Sequence, residues 1–95
     1  MLLSNLSKAI TVNKTYNFNK NKYFSAITSN SKLTNNKTLF VYDKNTKVKK
    51  IYLDEAIKNK TPAIISNKYI KNLKIPQFVV SNINFETYSL LNKLH

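Results

Sequence analysis

The chain has 95 residues, 42% of them hydrophobic, with no cysteine, one histidine and a formal charge of +12. That suffices for a single domain with one modest core over residues 1–95, and the missing cysteines exclude disulfides and thiolate metal sites while suiting a reducing cytoplasm. No apolar run approaches the ~20 residues needed to span a bilayer, so no membrane insertion is expected.

The opening MLLSNLSKAI lacks the basic leader and long apolar stretch of a signal peptide. It places Leu2, Leu3 and Leu6 on one face of a short helix closed by Ala9 and Ile10. Residues 11–22, TVNKTYNFNKNK, read as a loop or a weak edge strand. Phe24, Ala26 and Ile27 begin a strand that ends in the polar stretch Thr28–Asn30. Thr38–Tyr42, TLFVY, has the β-rich apolar character of a strand covered on both faces.

After a solvated segment at 43–50 comes the clearest helix, with Tyr52, Leu53, Ala56 and Ile57 on one face. Asp54 and Glu55 are expected in its first turn and Lys58 and Lys60 at its end, in line with the helix dipole. Pro62 stops it, and Ala63-Ile64-Ile65 follows as a second buried strand. Strand, helix and strand over about thirty residues make one βαβ unit. QFVV at 77–80 gives a further strand, with Pro76 tolerable only at its start. Asn84 is then expected to cap a last helix, with Phe85, Tyr88, Leu91 and Leu94 or Leu90 as its apolar stripe. Strands alternating with helices predict an α/β domain, a small mixed sheet with helices packed on it.

Enzyme signatures are sparse. With no glycine there is no glycine-rich phosphate loop. A Ser-His-Asp site would have to recruit His95, the last residue. Of the four carboxylates, Asp54, Glu55 and Glu86 fall where helix-dipole complementarity accounts for them. Asn-x-Ser/Thr triplets begin at Asn5, Asn13, Asn36 and Asn59, as chance allows in a chain so rich in asparagine.

All sixteen basic residues are lysine. An A/T-biased coding sequence explains lysine, asparagine and the missing glycine together, yet the charge still attracts polyanions non-specifically. A small basic nucleic-acid-binding protein is therefore the competing reading. It rests on Tyr16, Phe18, Tyr23 and Phe24 among Lys14, Lys20 and Lys22, where aromatic platforms and cations could hold bases and phosphates. It expects lysines clustered beside exposed Tyr16 and Tyr23.

Asn30-Ser31-Lys32, Leu39-Phe40-Val41, Ala56-Ile57, Ala63-Ile64-Ile65 and Phe78-Val79-Val80 occur in that order. From about residue 24 onward the chain resembles the N-terminal domain of the Mur ligases. The resemblance is to the branch that adds diaminopimelate or lysine to UDP-N-acetylmuramoyl-dipeptide, the UDP-N-acetylmuramoyl-tripeptide synthetases of peptidoglycan biosynthesis. It implies a domain holding the uridine end of that substrate, with Asn30, Ser31 and Lys32 in one turn and Lys44, Asn45 and Thr46 closing over the nucleotide. Ser31 would contact the uracil or ribose. ATP and magnesium are implied only for a separate central domain, so this chain would carry no cofactor and no catalytic residue of its own. Family glycines fall at Lys37, Asn45 and Lys60, and the family's Asp and Arg of the turn are here Asn30 and Lys32.

Overall fold

A computed structural model describes residues 1–19, 22–45 and 50–94. Five strands form one sheet: β1 (Lys14–Tyr16), β2 (Ala26–Thr28), β3 (Thr38–Tyr42), β4 (Ile64–Ser66) and β5 (Gln77–Val79), in the order β1-β5-β4-β3-β2. β2, β3, β4 and β5 run parallel, and β1 adds antiparallel to β5. The fold is α/β with a mixed sheet, and residues 11–22 do contain an edge strand.

Pairing register divides the side chains between two layers. Leu39, Val41, Ile65 and Phe78 join one cluster with Leu3, Leu6, Ile83 and Leu90. These last four come from the N-terminal turn, from α1 (Leu6–Ala9) and from α3 (Ile83–Leu94). Phe40, Tyr42 and Ile64 join Leu53 and Ala56 of α2 (Lys50–Lys58), with Ile70, on the opposite face. β3 is buried along its whole length, as its unbroken apolar run requires.

Three helix expectations shift. α2 begins at Lys50, so Asp54 and Glu55 lie in its middle and its first turn holds no acid. In α3 the cap is Asn82, whose Oδ1 accepts from Phe85 N–H at 3.1 Å and whose carbonyl accepts from Glu86 N–H at 2.9 Å. The helix begins at Ile83, whose side chain is buried, so Asn84 lies inside the first turn and is not the cap. The buried face becomes Ile83, Glu86 and Leu90, leaving Phe85 60% and Tyr88 66% exposed. The seven-residue step from Ile83 to Leu90 is the stripe that packs.

Two polar side chains stitch the interior. Thr61 Oγ1 donates to Thr38 O at 2.8 Å and accepts from Phe40 N–H at 3.2 Å. The fully buried Gln77 amide accepts from Ile70 N–H at 2.8 Å and donates to Ile70 O at 2.9 Å. Each satisfies backbone groups that would otherwise be stranded in the core.

α2 ends in a Schellman pair, Thr61 N–H to Ala56 O and Lys60 N–H to Ile57 O. Lys60 occupies the left-handed position at φ 74°, where glycine is at home. Lys37 is not left-handed; Asn17, Lys60 and Asn72 are the positive-φ residues among those described. Lys60→Gly is therefore expected to stabilise the domain by roughly 0.5–1 kcal/mol, part of the relieved strain being offset by unfolded-state entropy. Lys37→Gly should be neutral or destabilising. Chemical denaturation of both variants checks the pair.

Candidate functional site

Parallel strands deliver their C-terminal ends to one edge of the sheet, where ligands of open α/β sheets usually sit. Here that edge gathers Ser29 and Asn30 after β2, Asp43–Asn45 after β3 and Asn67 after β4. The first turn of α3 begins at the same edge.

The Asn30-Ser31-Lys32 turn is built from its own side chains. Thr28 Oγ1 accepts from Asn30 N–H, and Asn30 Oδ1 accepts from Lys32 N–H, both at 3.0 Å. This caps a 3-10 turn over Ser31–Leu33. Ser31 is only 3% exposed, and its hydroxyl donates to Glu55 Oε1 at 2.6 Å. Its carbonyl accepts from Asn59 Nδ2 at 3.2 Å. Lys32 is exposed. The turn is thus clamped onto α2 at both ends of Ser31.

The turn after β3 is built in a similar way. Asp43 Oδ1 accepts from Asn45 N–H at 2.9 Å and from Asn67 Nδ2 at 2.7 Å. Asn67 Oδ1 accepts from Lys44 N–H at 2.9 Å, tying the ends of β3 and β4 together. Lys44 and Asn45 are exposed, while Thr46 lies outside the described residues.

Two adjoining clefts open on this edge and share Ser29. One, of about 400 Å³, is lined by Ser29, Asn30, Ser31, Lys32 and Tyr52. The other, of about 530 Å³, is lined by Ser29, Val41, Asp43, Ile83, Asn84, Thr87, Tyr88 and Leu91. The structure thus brings Asn30, Ser31 and Lys32 to one cleft, while from the β3 turn Asp43, and neither Lys44 nor Asn45, lines the other.

Thr87 carries the clearest chemical signal: its Oγ1 is buried with no hydrogen-bond partner in the protein. An unsatisfied buried hydroxyl costs roughly 1–3 kcal/mol and calls for a partner. Ile83, Thr87 and Leu91 share one helical face at four-residue spacing, so a lone polar residue between two apolar ones was a readable mark of this position. Tyr52, expected on the same face of α2 as Leu53 and Ala56, is 44% exposed and lines the smaller cleft.

A further depression, of about 720 Å³, lies between residues 7–12 and α3. The buried Glu86 beside it accepts from Thr11 N–H at 2.9 Å, so its carboxylate is used in joining α3 to the segment after α1. Among the described residues no group of three or more His, Cys, Asp or Glu is placed to hold a metal ion. No helix among them is long and apolar enough to cross a membrane.

Comparison with known proteins yields neither a matching family model nor a matching curated protein.

The Ser31–Glu55 bond links the site to α2. Glu55→Ala is expected to destabilise the domain by about 1–3 kcal/mol by stranding the buried Ser31 hydroxyl. Ser31→Ala in the same background should then cost little more. A double-mutant cycle by urea denaturation reads this coupling.

Proposed function

We propose that the C-terminal edge of the sheet binds the UDP moiety of UDP-N-acetylmuramoyl-dipeptide, as the substrate-binding domain of an ATP-dependent peptidoglycan-precursor amino-acid ligase. The observation that carries the reading is the partnerless Thr87 hydroxyl in a cleft at the strand ends. A pyrimidine ring suits apolar walls made by Val41, Ile83 and Leu91, with Thr87, Ser29 and Asn84 offering hydrogen bonds to its edge. Asp43, already held by two donors, can accept from ribose hydroxyls. Lys32 stands at the adjoining cleft, where an ammonium offsets diphosphate charge as a point cation.

The resembled family supplies the identity of the nucleotide sugar, through the turn at Asn30–Lys32 and the apolar strand before Asp43. A further consistency is Lys60, left-handed at a position where that family has glycine. The activity assigned to this chain is binding and orientation alone.

Thr87→Val removes the hydroxyl while keeping its shape. The free domain should gain about 1 kcal/mol of stability, because an unsatisfied polar atom leaves the interior. Affinity for the UDP-sugar should fall about five- to tenfold through the loss of one ligand hydrogen bond. NMR titration of the two proteins reads both effects, with shifts expected at residues 29–32, 43–45 and 84–91. Shifts absent from these segments, or an affinity unchanged by Thr87→Val, would overturn the assignment.

A further inference from the structure

A second surface lies on the α2 side of the sheet, at its β1 edge. Register places it there: Tyr16 pairs with Gln77, which pairs with Ile64, which pairs with Phe40. Lys14, Val79, Ser66 and Tyr42 form the next row on the same face. α2 covers the β3 and β4 part of these rows. Over β5 and β1 the cover is the segment 67–76, held by Gln77 from within and by Asn17 Nδ2, which donates to Leu73 O at 2.7 Å.

That segment brings Tyr69 onto Tyr16, with ring centroids 4.5 Å apart and planes at 48°. Lys14 Nζ lies 5.2 Å from the centre of the Tyr16 ring. Tyr69 is still 49% exposed. Lys68, Lys71 and Lys74 project from the same segment, all exposed. Neither 67–76 nor 14–19 contains a carboxylate. Among the described residues none of these four lysines is paired with an acid. Codon bias accounts for how many lysines there are, but not for a tyrosine pair drawn from positions 16 and 69 and ringed by them.

We propose that this ridge binds single-stranded nucleic acid, with an unpaired base stacking on the exposed Tyr69 ring and Lys14, Lys68, Lys71 and Lys74 holding the flanking phosphates. Single strands fit because their bases are free to stack and every base offers a π face. Lysine alone suits such binding, which needs point charges along a backbone rather than the arginine forks used to read guanine. The surface differs from the 14–24 cluster expected from sequence. Phe24 is fully buried, while Phe18 and Tyr23 are each 52% exposed and Lys20 lies outside the described residues. From that stretch the ridge draws on Tyr16, stacked on Tyr69, and on Lys14 beside it.

The test is fluorescence anisotropy of a labelled oligouridine of about twelve nucleotides, a length within the site sizes of such surfaces, titrated at several salt concentrations. Tyr69→Leu, which keeps apolar bulk over Tyr16, should weaken binding about tenfold and leave the salt slope intact. Lys14→Ala with Lys68→Ala and Lys71→Ala should flatten the slope of log affinity against log salt by about two, at ~0.7 for each phosphate no longer neutralised. Lys8→Ala with Lys93→Ala, on the α1 and α3 side, should change little. Inorganic polyphosphate, having charge but no bases, should compete poorly. Equal effects from the two sets of lysines, an unaffected Tyr69→Leu, or equal competition by polyphosphate would each overturn the proposal and leave only non-specific attraction to a +12 protein.

Discussion

Much of the molecule hangs on one strand that has no free face. β3 pairs in parallel with β2 on one side and β4 on the other. Its alternate residues feed both cores, Leu39 and Val41 into one and Phe40 and Tyr42 into the other. Burying such side chains contributes roughly 1.5–3 kcal/mol each, so a slip of one residue would exchange the two cores and is strongly excluded. Parallel pairing then dictates the connections. Each strand must return to its starting edge, by the 3-10 turn and loop at 29–37, by α2, and by the segment 67–76. The C-terminal ends of β2, β3 and β4 are thereby collected at one edge, where the two clefts open. The site is a consequence of register before it is a consequence of any polar residue.

A chain without glycine has to turn by other means, and the means it uses shape the site. Asn30, Asn35 and Asp43 each accept from the backbone N–H two residues on, the short-side-chain substitute for a tight turn. Asn35 also accepts from Thr38 Oγ1, so the bend before β3 forms without Lys37 leaving the ordinary backbone region. Asn17 and Asn72 supply left-handed turns at low cost, as asparagine can. At α2 no such device is available and Lys60 takes the strained conformation itself. These side chains support the backbone, so at the C-terminal edge of the sheet Asn30 and Asp43 arrive with acceptors already engaged. The uncommitted chemistry there falls to Thr87, a hydroxyl on a rigid helix.

The elements legible in the sequence were those with a one-sided or fully apolar pattern. TLFVY, the Ala63–Ile65 run and QFVV are strands close to where their composition puts them, and α2 packs through Leu53 and Ala56 as its spacing implies. The α3 register was not legible, because Asn82 and Asn84 are equally good caps and Phe85, Tyr88 and Leu91 mimic a buried stripe. What decides between the two is whether Ile83 or Phe85 meets the sheet, and that contact is tertiary. For the site, Asn30–Lys32 and the segment after β3 could be placed at strand ends from sequence. The partner of Ser31 could not, since Glu55 reaches it only because α2 packs against the 3-10 turn. Tyr52 was hidden for the same reason, as its place depends on which face α2 turns inward, whereas Thr87 was marked by its spacing between Ile83 and Leu91 and only its lack of a partner was hidden.

β1 shows how one antiparallel strand separates two regions of the surface. Its addition closes the hydrogen-bonding edge of β5 and leaves an exposed lysine, Lys14, in the new edge strand, where charged side chains are common on sheet edges. Because α2 spans only Lys50–Lys58, it covers β3 and β4 and leaves the β5 and β1 strip to a loop. A loop can cover that strip only if its backbone is satisfied, which Gln77 and Asn17 achieve from below and from the side. Its own exposed side chains, Lys68, Tyr69, Lys71 and Lys74, are then left pointing at solvent beside Tyr16. Asn67, the first residue of the same loop, is bound to Asp43 and Lys44 at the strand-end clefts. The loop between β4 and β5 therefore borders both surfaces, and its anchoring at Asn67 and Gln77 holds the Tyr69 ridge in a fixed relation to the clefted edge.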